Sequence, residues 1–123
     1  MRNFNASATV SALADVGTFD VSNCERALFD IANSAAAQLS AFEVHIKCHS
    51  SGNFYKIASA AADFTAPVGI IVGCVEDDGT TIDLTTLGTS KKGMLIIDTR
   101  GIDSIKLKAA GTASALTVYG SAA

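Results

Sequence analysis

The two histidines are the first side chains in this chain of 123 residues that could bind a metal. His45 and His49 are four residues apart, and on a helix this spacing would let them share a zinc ion. Residues 42–48, however, alternate apolar and polar side chains, which predicts a β-strand. Along a strand the two rings would lie about 13 Å apart. We therefore predict surface histidines and no metal site.

Acidic residues cluster at Glu76, Asp77, Asp78 and Asp83. The spacing of an EF-hand loop and its bidentate glutamate are missing. The pair Asp78-Gly79 lies between apolar stretches and predicts a hairpin turn whose carboxylates are solvated. A weak cation site at a contact between subunits stays open as an alternative.

The three cysteines, Cys24, Cys48 and Cys74, are an odd number at wide spacing. They fit neither a disulfide framework nor a pair of metal ligands, so we predict reduced, unpaired thiols in a reducing cytoplasm. Cys48 continues the apolar side of the strand at 42–48 and is expected to be buried. The chain has no Ser-His-Asp order, nucleophile elbow or phosphate loop. We predict that it is not an enzyme and uses no cofactor.

The formal net charge is −3, which gives no electrostatic argument for a nucleic-acid partner. Lysines at 91, 92, 106 and 108, with Arg100, could form a local positive patch, although any exposed strand face predicts the same alternation. The residues that we expect to contact a protein partner are Arg2, Phe4, Ser90, Lys91, Lys92 and Arg100.

The composition, 49% hydrophobic and 17% charged, is that of a folded domain rather than a disordered chain. About eight to ten short strands with regular turns predict an all-β fold, an antiparallel β-sandwich of jelly-roll or immunoglobulin-like type. Residues 1–17, rich in Ala, Ser, Thr and Asn, are predicted to be an N-terminal arm, and residues 18–123 the single sandwich domain. We expect no secretory signal and no membrane partner.

Alternation also predicts which side chains face the core. The residues expected to be buried are Phe42, Val44, Ile46, Ile105, Leu107, Leu116 and Val118, and those expected to be more exposed are Glu43, Lys47, Lys106 and Lys108. Residues 68–75 predict a strand buried on both faces, and residues 33–40 and 59–66 predict loops.

One short pattern occurs twice, at residues 19–31 and 97–109. Each copy has an apolar residue, an Asp, two variable residues, then Asn23 or Gly101, and then a strand. The Asp can accept the backbone N–H two residues on, and Asn or Gly tolerates a left-handed turn. The pattern predicts two equivalent corners, one in each half of a sandwich. The alternative is that this pattern is common to β-hairpins in general and that the chain contains no true repeat.

The hairpin at 42–57 and the closing segment at 93–118 together resemble a known family. The two segments are similar to segments of small β-sandwich virion structural proteins of tailed bacteriophages, of the capsid decoration (cement) or head-fibre type. Their sequences here are FEVHIKCHSSGNFYKI and GMLIIDTRGIDSIKLKAAGTASALTV. The resemblance covers most of the chain after residue 19.

This resemblance implies a protein that is assembled in the host cytoplasm and located on the capsid surface of the virion. Its expected partner is the major capsid protein, whose neighbouring subunits it would clamp, and its expected form is a homo-oligomer, a trimer. The alternative function is a carbohydrate-binding module of a tail or fibre. The absence of Trp weakens that alternative, because sugar sites are usually built on exposed aromatic rings.

Overall fold

The computed structural model describes residues 1–34, 37–89 and 91–123, which form nine β-strands, one short α-helix and one turn of 3-10 helix. The strands are β1 (Arg2–Val10), β2 (Ala14–Asp20), β3 (Arg26–Asn33), β4 (Ala41–Lys47), β5 (Tyr55–Ala58), β6 (Ile71–Val75), β7 (Lys91–Asp98), β8 (Ser104–Ala110) and β9 (Ser114–Ala122). The helix α1 is Ala61–Thr65, and the 3-10 turn is Leu84–Thr86. None of these described residues belongs to a helix with the length and apolar character needed to cross a bilayer.

The strands pair in a nested order, β1 with β9, β2 with β8, β3 with β7 and β4 with β5, and every pair is antiparallel. A long hairpin folded over on itself in this way is a double-sheet jelly roll. Two further pairings, β3 with β9 and β4 with β8, join these pairs into sheets. The larger sheet has the order β1-β9-β3-β7-β6, and the smaller sheet has the order β2-β8-β4-β5. The predicted antiparallel β-sandwich is confirmed, and its topology is that of the jelly roll.

The core lies between the sheets and is filled by the inward residues of each strand, because side chains alternate between the two faces of a strand. Six of the seven residues predicted to be buried are so: Phe42, Val44, Ile105, Leu107, Leu116 and Val118. Ile46 is only partly buried, and Cys48 is exposed, contrary to prediction. Both lie where β4 ends, at Lys47, so the opposite sheet no longer covers them.

The repeated pattern forms two equivalent corners. In each, the side chain of the Asp accepts the backbone N–H two residues on, at 3.0 Å for Asp20 and 3.2 Å for Asp98. Asn23 and Gly101 then take left-handed backbone conformations, with φ of 63° and 82°. The turn chemistry predicted from these residue types is confirmed at both positions.

The two corners also bond each other in a reciprocal manner. The N–H of Val21 donates to the carbonyl of Asp103 at 3.0 Å, and the N–H of Thr99 donates to the carbonyl of Glu25 at 3.0 Å. Thr99 and Asp103 stand in the second copy where Val21 and Glu25 stand in the first, so each bond is the counterpart of the other. The two-fold repetition is therefore real at this end of the sandwich.

The predicted boundary between an arm at 1–17 and a sandwich from residue 18 is not seen. Strand β1 pairs with β9 along all nine of its residues and belongs to the larger sheet. Its inward apolar side chains pack against the core or lie within it: Phe4, Ala6, Ala8 and Val10. Two of the four are alanines, so the apolar side of β1 gives only a weak periodicity in the sequence.

Two other predictions are corrected. The strand at 68–75 is shorter, begins at Ile71 and lies at the edge of the larger sheet. Ile71 and Cys74 are buried whereas Val72 is exposed, so this strand is buried on one face rather than on both. The predicted loop at 59–66 contains α1, whose first turn is held by Asp63 accepting two backbone N–H groups at 2.9 Å. The predicted loop at 33–40 includes residues 35 and 36, which lie outside the described residues.

Candidate functional site: the lysine face of the smaller sheet

The outer face of the smaller sheet carries a cluster of charged side chains on its two central strands. Strands β4 and β8 are adjacent and antiparallel, with Glu43 opposite Lys108 and His45 opposite Lys106. The residues between them point into the core, so these four point outward and stand side by side. We call this surface the lysine face; its members are Asp15, Glu43, His45, Lys47, Phe54, Lys56, Lys106 and Lys108.

Both carboxylates of the lysine face are already paired. Asp15 on the edge strand β2 lies 3.9 Å from the ammonium of Lys106 and 3.7 Å from that of Lys108. Glu43 lies 2.8 Å from Nε2 of His45 and 3.9 Å from the ammonium of Lys56. Two carboxylates therefore face four lysines, which leaves an excess of two positive charges on a chain whose net charge is negative.

An aromatic ring orients two of the lysines. The ammonium groups of Lys106 and Lys47 lie 4.3 and 5.1 Å from the centre of the Phe54 ring. Each contact of this kind contributes about 0.5–1 kcal/mol at an exposed site. The lysines are thus held near the sheet while their N–H donors still reach solvent. A surface built in this way suits the carboxylates of another protein.

The partner-contacting residues predicted from the sequence do not come together. Arg2 and Arg100 lie at one end of the larger sheet, where Arg2 pairs with Asp20 at 2.7 Å and Arg100 with Asp98 at 2.6 Å. Hydrogen bonds from Ser22, reinforced by Arg2, lower the pKa of Asp20. Those from Arg100 lower the pKa of Asp98 to about 2. Each of these arginines therefore binds the Asp of one corner.

The remaining predicted residues are elsewhere. Lys91 and Lys92 begin β7, and the eight residues of that strand place them about 23 Å from the Arg100 end. Lys91 lies 3.6 Å from Glu76. Phe4 is partly buried, with its ring centre 5.2 Å from that of Phe19 in the core. Ser90 lies outside the described residues.

The predicted solvated acidic turn carries internal bonds. The hydroxyl of Thr80 donates to Glu76 at 2.9 Å and to Asp78 at 2.6 Å, and Asp83 caps the 3-10 turn by accepting the N–H of Thr85 at 2.9 Å. Across the residues that the structure describes, no three His, Cys, Asp or Glu side chains are grouped so as to hold a metal ion.

A mostly polar cleft of about 430 Å³ lies at the end of the sandwich, between the two corners. Its lining residues are Ser22, Asn23, Cys24, Cys48, His49, Ser50, Gly101, Ile102 and Asp103. No Phe, Tyr or Trp is among these lining residues. The two tyrosines, Tyr55 and Tyr119, are on β5 and β9. The cleft therefore offers hydrogen-bonding groups without an aromatic platform.

Part of the lysine face can be recognised in the sequence, and the rest cannot. The alternation at 42–48 and 104–109 identifies Lys47, Lys106 and Lys108 as outward residues, as the structure confirms. It does not reveal that β4 and β8 are neighbours, because their pairing joins residues about sixty positions apart in the sequence. The sequence around Phe54 and Lys56 contains no pattern that would place these residues on the lysine face.

No known protein family matches the chain as a sequence profile, and a search of curated proteins finds no match. Among solved structures, the fold is similar to that in the crystal structure of the SPBc2 prophage-derived protein YomS. The TM-score is 0.51 at 12% sequence identity, and the likeness spans 98% of this chain and 93% of YomS. At this identity the likeness establishes a shared fold.

Proposed function

We propose that this chain is a structural protein of a phage virion that decorates and cements the capsid by binding neighbouring major capsid subunits. The observation that carries the proposal is the fold shared with a prophage-derived protein over nearly the whole of both chains. The resemblance of the segments at 42–57 and 93–118 to capsid decoration proteins points the same way. Because folds host many functions, the fold supports a phage origin more directly than a particular role.

The contact with the capsid is assigned to the lysine face. Its four lysines and two carboxylates leave positive charge that is available to an acidic partner. Each such contact is weak on its own, since exposed ion pairs contribute about 0–1 kcal/mol. A decoration protein repeated over a symmetric lattice gains its hold from many contacts at once.

Copy number in purified virions is the first test. A decoration protein should be present at a copy number close to that of the major capsid protein, with density on the outside of the head. Quantitative mass spectrometry and a reconstruction of the intact virion measure these two quantities. A few copies at the tail would contradict capsid decoration.

The second test compares two charge-matched variants for binding to undecorated capsids. Lys106→Gln with Lys108→Gln removes two charges from the lysine face, and Lys91→Gln with Arg100→Gln removes two from the larger sheet. The first pair should weaken binding roughly tenfold and the second should change it little. Thermal melts of both variants check that folding is intact. Equal effects would shift the contact toward the residues predicted from the sequence.

A tail or fibre module that binds carbohydrate is the second candidate, and the polar cleft between the corners favours it. Asn23, His49 and Asp103 on the cleft wall are side chains that bond sugar hydroxyls. This role predicts few copies per virion and a sugar whose binding is lost in Asp103→Ala. Glycan-array binding of the purified chain, with Asp77→Ala as a control outside the cleft, separates it from capsid decoration.

A further inference from the structure

The outer face of the larger sheet carries several exposed apolar side chains. Of the eight large hydrophobic residues exposed among those described, four are on β3, β6, β7 and β9 of this sheet: Leu28, Val72, Met94 and Tyr119. The strand register places them close together. Leu28 is opposite Ile96, and Met94 is opposite Val75 on its other side. In a soluble protein, a contiguous apolar surface of this kind marks an interaction site.

Polar residues border this patch on one side. The edge strand β1 presents its exposed side chains, Asn3, Asn5, Ser7 and Thr9, beside Tyr119 and its neighbours on β9. Exposed Tyr, Met and Leu beside a polar border are features found at protein–protein interfaces.

Two opposite charges stand within the patch. Asp30 on β3 is opposite Met94 on one side and Tyr119 on the other, and Lys92 lies two residues from Met94 along β7. Both are exposed, and among the described residues neither has an ion-pair partner. Five other lysines and arginines of the sheets do have one, for example Lys91 with Glu76. The patch therefore carries one free acid and one free base at a fixed spacing.

We propose that this face binds the same face of a second copy of the chain, about a two-fold axis that runs parallel to the strands between β3 and β7. Such an axis exchanges β3 with β7 and β9 with β6 across the contact. It places Leu28 against Ile96 of the other copy, and Tyr119 against Val75 of the other copy. It also places Asp30 of each copy over Met94 of the other, so that Lys92 of the other copy lies one two-residue repeat of the strand away from Asp30. The pairing is reciprocal, as a two-fold contact requires.

The size of the contact is sufficient. The four strands involved are together about 19 Å wide, and the three outward rows on β3 extend over about 20 Å. Two faces of this size, with their protruding side chains, bury on the order of 1,000 Å² in total, which is near the lower limit of a specific interface. Strands of the two copies would run nearly parallel, as in aligned packing of sheets.

The reciprocal charges favour two copies over the trimer predicted from the sequence. A ring of three uses different surfaces on each side of a subunit, whereas the Asp30–Lys92 arrangement is complementary to itself. The inference does not depend on capsid binding, because self-association is measured on the purified chain alone.

The two tyrosines give a matched test. Tyr119→Glu puts a charge into the patch, and Tyr55→Glu puts the same charge on the smaller sheet at a residue of similar exposure, 64% against 56%. Sedimentation velocity over a concentration series should give a dimer for the unchanged chain. Tyr119→Glu should raise its dissociation constant at least tenfold, and Tyr55→Glu should leave it within about threefold. A monomer at all concentrations, a trimer, or equal effects of the two variants would overturn the proposal.

A charge exchange tests the geometry itself. Asp30→Lys and Lys92→Asp each place like charges across the two-fold axis, so each should weaken the dimer. The double variant restores opposite charges and should recover most of the affinity, since the coupling of two charges is measured by such a cycle. Additive losses in the double variant would refute this pairing. Melting curves of the three variants establish that each is folded.

Discussion

Replacing Phe4 by Ala should destabilise the fold, because β1 is part of the sandwich. The Phe4 ring lies 5.2 Å from the ring of Phe19 and 6.0 Å from that of Phe29, measured between centres. Both of those residues are buried in the core. If residues 1–17 were a detached arm, the same substitution would leave the free energy of unfolding unchanged.

The magnitude follows from how much of the ring is covered. A fully buried Phe replaced by Ala costs about 3–5 kcal/mol, of which part is the cavity left behind. Phe4 is only partly buried and lies at the sheet edge, where the space left is open to water and no closed cavity forms. About half of the full cost remains, roughly 2 kcal/mol including the two ring contacts.

Thermal or urea unfolding followed by circular dichroism measures this loss. For a domain of this size a loss of about 2 kcal/mol lowers the melting temperature by roughly 6–10 °C. Asn5→Ala is the matched control, since its side chain is exposed on the opposite face of the same strand and should change stability by less than about 0.5 kcal/mol. Equal and small effects of the two variants would refute the assignment of β1 to the core.

Two further outcomes are expected. Hydrogen bonds from Arg100 lower the pKa of Asp98 from 3.8 to about 2, so the Asp98 carboxylate stabilises the fold above pH 3.8 and loses this contribution as the pH falls through about 2. Asp98→Asn should therefore lower the melting temperature at neutral pH, and the difference from the unchanged chain should shrink between pH 3.8 and about 2. Asp77→Asn is the control. Native labelling with a thiol reagent should modify Cys48 alone, because Cys24 and Cys74 are buried while Cys48 is exposed. Burial, aided by the charge of a nearby Asp, also raises the pKa of the Cys74 thiol to about 12. Denatured protein should take three labels. Slow labelling at Cys48, or a mass gain of two hydrogens on reduction, would contradict the second outcome.

Local patterns predicted the features that depend on local chemistry. The Asp and the Asn or Gly of each corner determine a turn by bonds within a few residues, so both corners could be identified in advance. Strict alternation at 42–48 identified the inward residues Phe42 and Val44 for the same reason.

Features that depend on pairing between distant segments could not be predicted. Strand β1 has a weak apolar signal of its own and is recognised only through its pairing with β9, more than a hundred residues later. The lysine face likewise requires β4 beside β8, and the apolar patch requires β3 between β7 and β9. Short helices such as α1 form through a single capping side chain, Asp63, in a segment too short to show helical periodicity.

The two proposed contacts constrain each other, because they use opposite faces of one sandwich. In a two-fold pair joined through the larger sheets, four sheet layers stack, and layers pack about 10 Å apart. The two lysine faces would then point in opposite directions, roughly 30 Å from each other. Such a pair cannot lie flat on a smooth capsid with both lysine faces in contact. It can bridge two capsid subunits that face each other across a groove, one lysine face on each wall, and this geometry would cement neighbours rather than coat a single subunit.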